Sequence, residues 1–161
     1  MRDDRRIFEF LVLESFQAGL SWRIILNKRE NFRKAFRGFD PKKVARFGAQ
    51  DRARLMRDAG IVRNRAKIAA TIENAKRFLE VQKEFHGFSR YMWGWVQGKP
   101  LRHRFRSLRQ IPAVIPVAEE WAKDLKKRGF KFLGPTVVYA HMQATGMVND
   151  HTVDCFRHRR C

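Results

Sequence analysis

The fold class that the sequence predicts is all-α, and three observations support it. Apolar side chains recur at the helical period of 3.6 residues from about residue 64 to 85. Helix start signals are frequent, as where Asp40 precedes Pro41, and the alternation of apolar and polar residues that marks a strand is scarce. At 161 residues and 44% hydrophobic, the chain is long enough to bury one core. We therefore predict a single helical domain over residues 1–161.

In the first half of the chain, each helix is predicted from a cap or a stop signal. Asp3 or Asp4 caps a first helix that ends near Gly19. Ser21 caps a second helix, which is expected to run unbroken from Trp22 to about Phe36. Three more helices are expected, from Pro41 after the Asp40 cap, from about Asp51 to Gly60, and from about Asn64 to Phe85.

The second half is predicted to hold three helices and one long loop. "FSRYMWGWV" is typical of a short aromatic helix, and "GKPLRHRFRSLRQIPAVIP", with three prolines and a basic run, predicts the loop. "AEEWAKDLKKRG" carries acids in its first turn and bases in its last, as the helix dipole favours. A last compact helix is expected between Gly134 and Gly146.

The charge balance indicates a polyanionic partner. Thirty-five Lys and Arg against 16 Asp and Glu give a net charge of +19, far more than solubility requires. Nucleic acid is the first interpretation. A membrane surface is the rival, but no apolar run of transmembrane length and no signal peptide are found, so we expect a cytoplasmic protein. The two cysteines, Cys155 and Cys161, leave metal binding as their only special role.

A helix-hairpin-helix pattern is predicted at about residues 122–146. Here a helix, a tight turn "GFKFLG" and a second helix that opens at Gly134 follow one another. Such a hairpin directs backbone N–H groups at a DNA phosphate without base specificity. The alternative is that Gly129 and Gly134 are only helix stops.

A second hairpin candidate is "MRDAGIVRNRAKI", with Gly60 in its turn. We interpret it as a core turn in which Arg63, Arg65 and Lys67 are solvated.

The stretch "LESFQAGLSW" carries more polar chemistry than a helix end requires. A helix end needs only Gly or Asn and some polar cover. Glu14, Gln17 and Trp22 exceed that requirement, which makes them candidate functional residues.

Four motifs together carry a family resemblance. "LESFQAGLSW", "KRENFRKAFRGFDPKKVA", "DAGIVRNRAKIAATIENA" and "KKRGFKFLGPT", with "VNDH" following, resemble the type I 3-methyladenine DNA glycosylases in order and spacing, from about Asp3 to Cys155. The resemblance implies a helix-hairpin-helix glycosylase fold and a base-excision repair enzyme. Its partner is double-stranded DNA that contains alkylated adenine, from which it hydrolyses N3-methylated adenine, and we expect a monomer.

The resemblance also implies roles for the first motif. Glu14 hydrogen-bonds the extruded base and acts in catalysis, Trp22 stacks on the base, and Gln17 supports Glu14 and helps bind the base. Gly19 and Leu20 form a wedge in the duplex. A base methylated at N3 is cationic, so a carboxylate and an aromatic face both attract it. The alternatives are an ion pair with an arginine for Glu14 and plain core roles for Trp22 and Leu20.

For the hairpin, the resemblance implies a monofunctional enzyme. Relatives that also cleave the strand place a lysine two residues after the hairpin glycine, for a Schiff base, and here that position is Thr136. Lys131, Gly134 and Thr136 are expected at the DNA backbone. Relatives also carry a catalytic aspartate where Asn149 falls, with Asp150 next to it.

The resemblance further implies half of a structural zinc site. His151 and Cys155 have the spacing that places two side chains on one helical face, and the matching pair in the family binds zinc. The family's other two ligands lie in an N-terminal segment, and this chain begins at Met1 after that segment. His158 and Cys161 continue the series, but a straight helix spaces them too far apart for one ion.

Two other functions stay open at this point. A catalytically impaired protein that keeps the hairpin would bind DNA without releasing a base. A helical RNA-binding protein is disfavoured because the aromatic stacking platform of a sheet is not predicted.

Overall fold

A computed structural model describes residues 1–159, and this part of the chain is helical, as predicted. One pair of two-residue strands lies where only loop was expected, with Leu101 beside Val148 in parallel register. The elements are α1 (Asp4–Gln17), α2 (Trp22–Asn27), α3 (Arg29–Ala35), α4 (Pro41–Val44), α5 (Ala49–Arg57), α6 (Arg65–Phe85), α7 (Phe88–Gly94), β1 (Leu101–Arg102), α8 (Pro116–Lys127), α9 (Pro135–Thr145) and β2 (Val148–Asn149), with 3₁₀ turns at Arg37–Phe39 and Leu108–Gln110.

The two candidate caps of α1 have different roles. Asp3 is the cap, since its carboxylate accepts a 2.8 Å hydrogen bond from the backbone N–H of Arg6. Asp4 accepts from the backbone N–H groups of Phe88 and Ser89, both at 2.8 Å, and so caps α7 instead. The start of α1 is thereby tied to the start of α7.

The predicted unbroken helix from Trp22 to Phe36 is wrong, because the chain breaks at Lys28 into α2 and α3. The Lys28 ammonium donates to the carbonyl oxygen of Ala59 at 2.8 Å. In α3, Arg29 and Arg33 both donate to the nearly buried carboxylate of Glu9, at 2.8 and 2.9 Å. The break at Lys28 therefore accompanies hydrogen bonds between residues far apart in the chain, which a local sequence pattern does not predict.

The long helix α6 is the central element and extends over the predicted span. It packs against α1, α4, α5 and α7. Phe78 stacks on Phe88 with ring centroids 4.0 Å apart and meets Phe8 edge-on at 5.2 Å. These rings belong to a continuous cluster of buried apolar side chains to which α8 and α9 also contribute. Among residues 1–159, none of the helices combines the length and the apolar character needed to cross a membrane.

Candidate functional site

Glu14 occupies a core position of α1. It follows Ile7 and Leu11 along the buried face of the helix and is only 1% exposed. Neither carboxyl oxygen has a hydrogen-bond partner among the described residues, and burial raises the pKa of Glu14 to about 8. The ion pair with an arginine that was the alternative for Glu14 is not formed; Glu9 makes such pairs instead. A buried polar group without a partner is costly, so its retention points to a ligand.

The turn after α1 is held by its own hydrogen bonds. The Leu20 N–H donates to the Gln17 carbonyl oxygen at 2.7 Å, and the Gln17 side-chain amide donates to the Leu20 carbonyl oxygen, also at 2.7 Å. Gly19, at the exposed tip, has a φ of +81°, a conformation that favours glycine. The expectation that Gln17 supports Glu14 is therefore corrected: Gln17 closes the turn and makes no hydrogen bond to the carboxylate.

Lys67 also holds this turn, from α6. Its ammonium donates to the carbonyl oxygens of Phe16 at 2.8 Å and of Ala18 at 2.6 Å. The side chain is buried, which lowers the pKa of Lys67. The prediction that Lys67 is a solvated charge is wrong, whereas Arg63 and Arg65 are exposed. Nothing local to Lys67 marks it as buried, because its partners lie about fifty residues earlier in the chain.

Trp22 and Leu20 lie on either side of Ser21 at the start of α2. Both side chains are half-buried and pack against the core cluster, so each has a partly structural role. Ser21 occupies the predicted N-cap position, but its side chain makes no capping hydrogen bond. The part of each side chain that is exposed leaves an apolar surface beside the turn.

His141 is a second buried group whose polar atoms lack a partner among the described residues. It lies on α9, with its ring centroid 5.9 Å from that of Trp121. Burial lowers the pKa of His141 to about 3, so the ring is neutral at physiological pH and packs as an aromatic core residue. His141 and Glu14 thus share burial without a hydrogen-bond partner, but only Glu14 lies beside the turn that follows α1.

A tight turn over residues 128–134 joins α8 to α9, and its use as a DNA-binding hairpin stays a prediction. Gly129 and Phe132 have positive φ values, +89° and +58°, and Gly134 occupies the N-cap position of α9. The side chain of Asn74, on α6, makes two hydrogen bonds to the backbone of Lys131 in this turn. The Lys131 N–H donates to Oδ1 of Asn74 at 2.8 Å, and Nδ2 of Asn74 donates to the Lys131 carbonyl oxygen at 2.9 Å. Gly129 and Gly134 are thus part of a built turn.

The hairpin residues assigned to DNA are exposed, namely Lys131, Gly134 and Thr136. Beside them is a cavity of about 580 Å³, open to solvent. Its lining is mostly apolar, with Phe130, Phe132 and Leu133, and includes Lys123, Lys126 and Lys131. The exposed lysines make the surface around it basic, which suits a polyanion.

Asp150 is the carboxylate nearest to the position of the catalytic aspartate in related enzymes. It is buried, and it accepts hydrogen bonds from the Tyr139 hydroxyl and from the Gln143 amide at 2.7 Å. The Nδ1 of His103 lies 2.6 Å from its other oxygen. Asn149, next to it, donates from Nδ2 to the His158 carbonyl oxygen at 2.9 Å. Asp150 thus has three side-chain partners that hold the end of the chain onto α9 and the loop around His103.

The zinc expectation is not supported. The Sγ of Cys155 lies 3.6 Å from Nδ1 of His151, but residues 151–159 form turns and not the helix assumed from the spacing. Within residues 1–159 no cluster of three or more His, Cys, Asp or Glu side chains could hold a metal ion. Cys161 lies outside the described residues. Two ligands do not fit a tetrahedral zinc ion, so no step of the chemistry is assigned to a metal.

Comparisons with known proteins agree on one family. A family model described as methyladenine glycosylase matches residues 1–158. DNA-3-methyladenine glycosylase 1 of Escherichia coli (strain K12) is 45% identical over 153 residues, which are 95% of this chain and 82% of that protein. DNA-3-methyladenine glycosylase of Haemophilus influenzae is 44% identical over 95% of this chain and 83% of its own length. The structure of 3-methyladenine DNA glycosylase I from Staphylococcus aureus, 39% identical, superposes with a TM-score of 0.94 over 97% of this chain and 83% of that chain.

Proposed function

Because the chain belongs to the methyladenine glycosylase family, it is a DNA glycosylase that excises 3-methyladenine, and we propose that Glu14 recognises the methylated base. The observation that carries this proposal is the buried Glu14 carboxyl group with no hydrogen-bond partner. A folded protein keeps such a group when a ligand supplies the missing partner.

Charge explains why the base must be methylated. Adenine methylated at N3 in DNA is cationic, so it brings the carboxylate both a positive charge and N–H donors. Binding the cation offsets the desolvation that raises the pKa of Glu14, and the carboxyl group then ionises. Neutral adenine offers no such compensation. Glu14 therefore favours the methylated base, and the indole of Trp22 adds a stacking and cation–π contact.

The charge also simplifies the chemistry. When the bond between C1′ and the purine N9 breaks, its electron pair returns to the cationic ring, and 3-methyladenine leaves as a neutral base. A water oxygen bonds to C1′ and releases its proton to solvent. Because no anionic leaving group develops, base recognition and modest stabilisation of the sugar cation suffice. A lyase step is not expected, since Thr136 has no amine for a Schiff base.

The base has to be extruded from the duplex and admitted to a closed site. Both oxygens of Glu14 are shielded from solvent, so the side chains that cover them have to move before a base can reach them. Gly19 and Leu20, at the end of the turn, are placed to fill the gap that the flipped nucleotide leaves in the duplex. This conformational step precedes bond cleavage.

The hairpin supplies the contact with the DNA backbone. The backbone N–H of Thr136 lies in the first turn of α9, where helical N–H groups have no partner within the helix. Together with Gly134 and the Lys131 ammonium, it forms a site for a phosphate group, and the net charge of +19 favours the same partner.

Release of free base by the purified chain tests this function. Duplex DNA treated with a methylating agent is incubated with the protein, and the supernatant is analysed by chromatography. We expect 3-methyladenine in the supernatant and an intact strand. Binding of the duplex without release of base would instead indicate a catalytically impaired DNA-binding protein, and cleavage of the strand would refute the monofunctional assignment.

A further inference from the structure

Two buried polar side chains of α6 each hold one of the two functional turns. We call residues 16–20, which follow Glu14, the base turn, and residues 128–134, between α8 and α9, the hairpin turn. Lys67 binds the base turn and Asn74 binds the hairpin turn. The two residues are seven positions apart, which places them on the same face of α6, separated by about 10 Å.

We propose that Lys67 and Asn74 are positioning residues that fix the base turn and the hairpin turn at a set separation along α6. This inference rests on the proposed function, because it assigns a use to the spacing between base recognition and backbone contact. A base flipped out of DNA stays joined to its phosphates, so the site that receives it must lie at a fixed distance from the site that holds the strand.

Lys67 supplies hydrogen-bond donors to the backbone carbonyl groups at the end of α1. The last carbonyl groups of a helix have no partner within the helix, and α1 has no basic residue in its last turn. Gly19, after the C-cap Ala18, has a positive φ, but the following N–H, of Leu20, bonds the Gln17 carbonyl oxygen and not an earlier carbonyl of α1. The ammonium of Lys67 binds the carbonyl oxygens of Phe16 and Ala18, on either side of Gln17. It therefore fixes the direction in which the chain leaves α1.

Asn74 supplies a matched pair of groups to the hairpin turn. It is buried, and its amide both accepts from the Lys131 N–H and donates to the Lys131 carbonyl oxygen. Only a side chain with a donor and an acceptor on one carbon can make both bonds. Phe130 and Leu133 anchor the turn in the core on either side, and between them Phe132 has a φ of +58° and is 44% exposed. Asn74 holds this middle part of the turn through Lys131.

The base-turn arm of the test uses Lys67→Met, which keeps the length of the side chain and removes its donors. We expect the single-turnover rate of 3-methyladenine excision to fall at least tenfold while the Kd for undamaged duplex stays within about twofold. Lys67→Arg, which retains a cationic donor, should recover most of the rate. Arg65→Met is the matched control, because it removes the same charge from an exposed position of the same helix. If Lys67→Met does not fold, Lys67→Gln replaces it in the same assays.

The hairpin arm uses Asn74→Leu, which is similar in size and makes neither hydrogen bond. We expect the Kd for undamaged duplex to rise about fivefold, while the affinity for free 3-methyladenine, measured by quenching of tryptophan fluorescence, does not change. Asn74→Asp keeps the acceptor and loses the donor, so it should weaken duplex binding to a smaller degree at matched salt. Thr71→Val is the control, because Thr71 lies between the two positions on the same face and hydrogen-bonds only the Lys67 carbonyl oxygen of its own helix.

The separation of the two effects is the decisive result. All assays are run well below the melting temperature of each variant, so that a general loss of stability does not enter. If Lys67→Met and Asn74→Leu each lower the excision rate and the duplex affinity in parallel, or lower neither quantity, the positioning roles are refuted. Failure of the wild-type chain to release 3-methyladenine would refute the proposed function itself, which keeps the two failures distinct.

Discussion

The base turn and the hairpin turn are both bound by side chains of α6 but are built in opposite ways. Just before the base turn, the carboxyl group of Glu14 is buried and has no hydrogen-bond partner in the described part of the chain. At the hairpin turn, the backbone of Lys131 is fully hydrogen-bonded to Asn74, and its side chain is exposed. With the proposed roles of Glu14 and Lys131, selectivity for a base and affinity for a strand place different demands on the fold.

Selectivity for the base lowers the stability of the folded protein, whereas affinity for the DNA strand does not. An unpaired buried carboxyl group destabilises the folded state until its ligand arrives, but it can distinguish a cationic purine from a neutral one. An exposed lysine near a phosphate costs almost nothing and distinguishes nothing, since every nucleotide carries the same charge. Four substitutions and one change of pH test this contrast, beginning with the largest expected effect.

Replacing Glu14 with Gln should have the largest effect. The change removes the charge that attracts the cationic base, and we expect excision to fall by roughly 100-fold, as for loss of about 3 kcal/mol from a charged hydrogen bond. Duplex affinity should not change. Single-turnover kinetics and a filter-binding assay measure the two quantities, with Glu30→Gln as the control because Glu30 is exposed on the neighbouring α3. Equal losses in excision and duplex binding would remove the distinction between the two turns.

The same residue predicts a pH dependence of stability. In the folded protein the pKa of Glu14 is about 8, above its ordinary value of 4.5, so the folded state holds a proton that the unfolded state releases between these values. The free energy of unfolding should therefore fall as the pH rises from about 5 to 8. The wild type should lose on the order of 3 kcal/mol more than Glu14→Gln over this range. Denaturant melts at pH 5 and pH 8 measure the difference, and identical slopes in the two proteins would show that Glu14 ionises normally.

Trp22→Leu should lower base recognition less than the change at Glu14. Leucine retains the contact with the core but not the aromatic face, and loss of a cation–π contact corresponds to roughly a tenfold effect. We expect the single-turnover rate of 3-methyladenine excision from methylated duplex, in which the base is cationic, to fall by about this factor. Trp22→Phe should restore part of the rate, and an unchanged rate in Trp22→Leu would leave Trp22 with only its packing role.

Lys131→Ala tests the proposed contact between the hairpin turn and the DNA backbone. Loss of one phosphate contact should weaken duplex binding about threefold and reduce the dependence of log Kd on log salt by about 1. Lys42→Ala removes the same charge from an exposed position of α4 and is the control. Were the two variants to show the same salt dependence, the hairpin turn would not be the strand contact.

Leu20→Ala should have an effect about as small as that of Lys131→Ala. The side chain is half-buried, so only its exposed part is available to fill the duplex, and we expect the extrusion step to slow by a factor of about three. A fluorescent base analogue placed opposite the lesion reports extrusion directly. An unchanged signal would leave Leu20 with only its contact to the core.

The sequence predicted what depends on local patterns. The caps at Asp3 and Asp40, the long helix α6 and the glycines that bound α9 each follow from residues within a few positions of one another. Glu14 was singled out because its chemistry exceeds what a helix end requires, and the structure shows it buried without a partner.

What the sequence did not predict depends on contacts between distant residues. The sequence predicts Lys67 as one of the solvated charges after a core turn, and only the fold brings its ammonium to the end of α1. Asn74 was not singled out, since one asparagine in a helix resembles any other until the hairpin turn packs against it. The break at Lys28 has the same origin, because the gain comes from ion pairs between α3 and Glu9 on α1.

The pKa of Glu14 is the most direct test of the central claim, that a buried and unpaired carboxyl group recognises the cationic base. Carbon-13 NMR of the protein labelled at glutamate side chains can follow this group, which Glu14→Gln assigns. The account predicts titration near pH 8 in the free protein and a change of the same resonance when 3-methyladenine is added. Titration near 4.5, or a resonance that does not respond to the base, would contradict it.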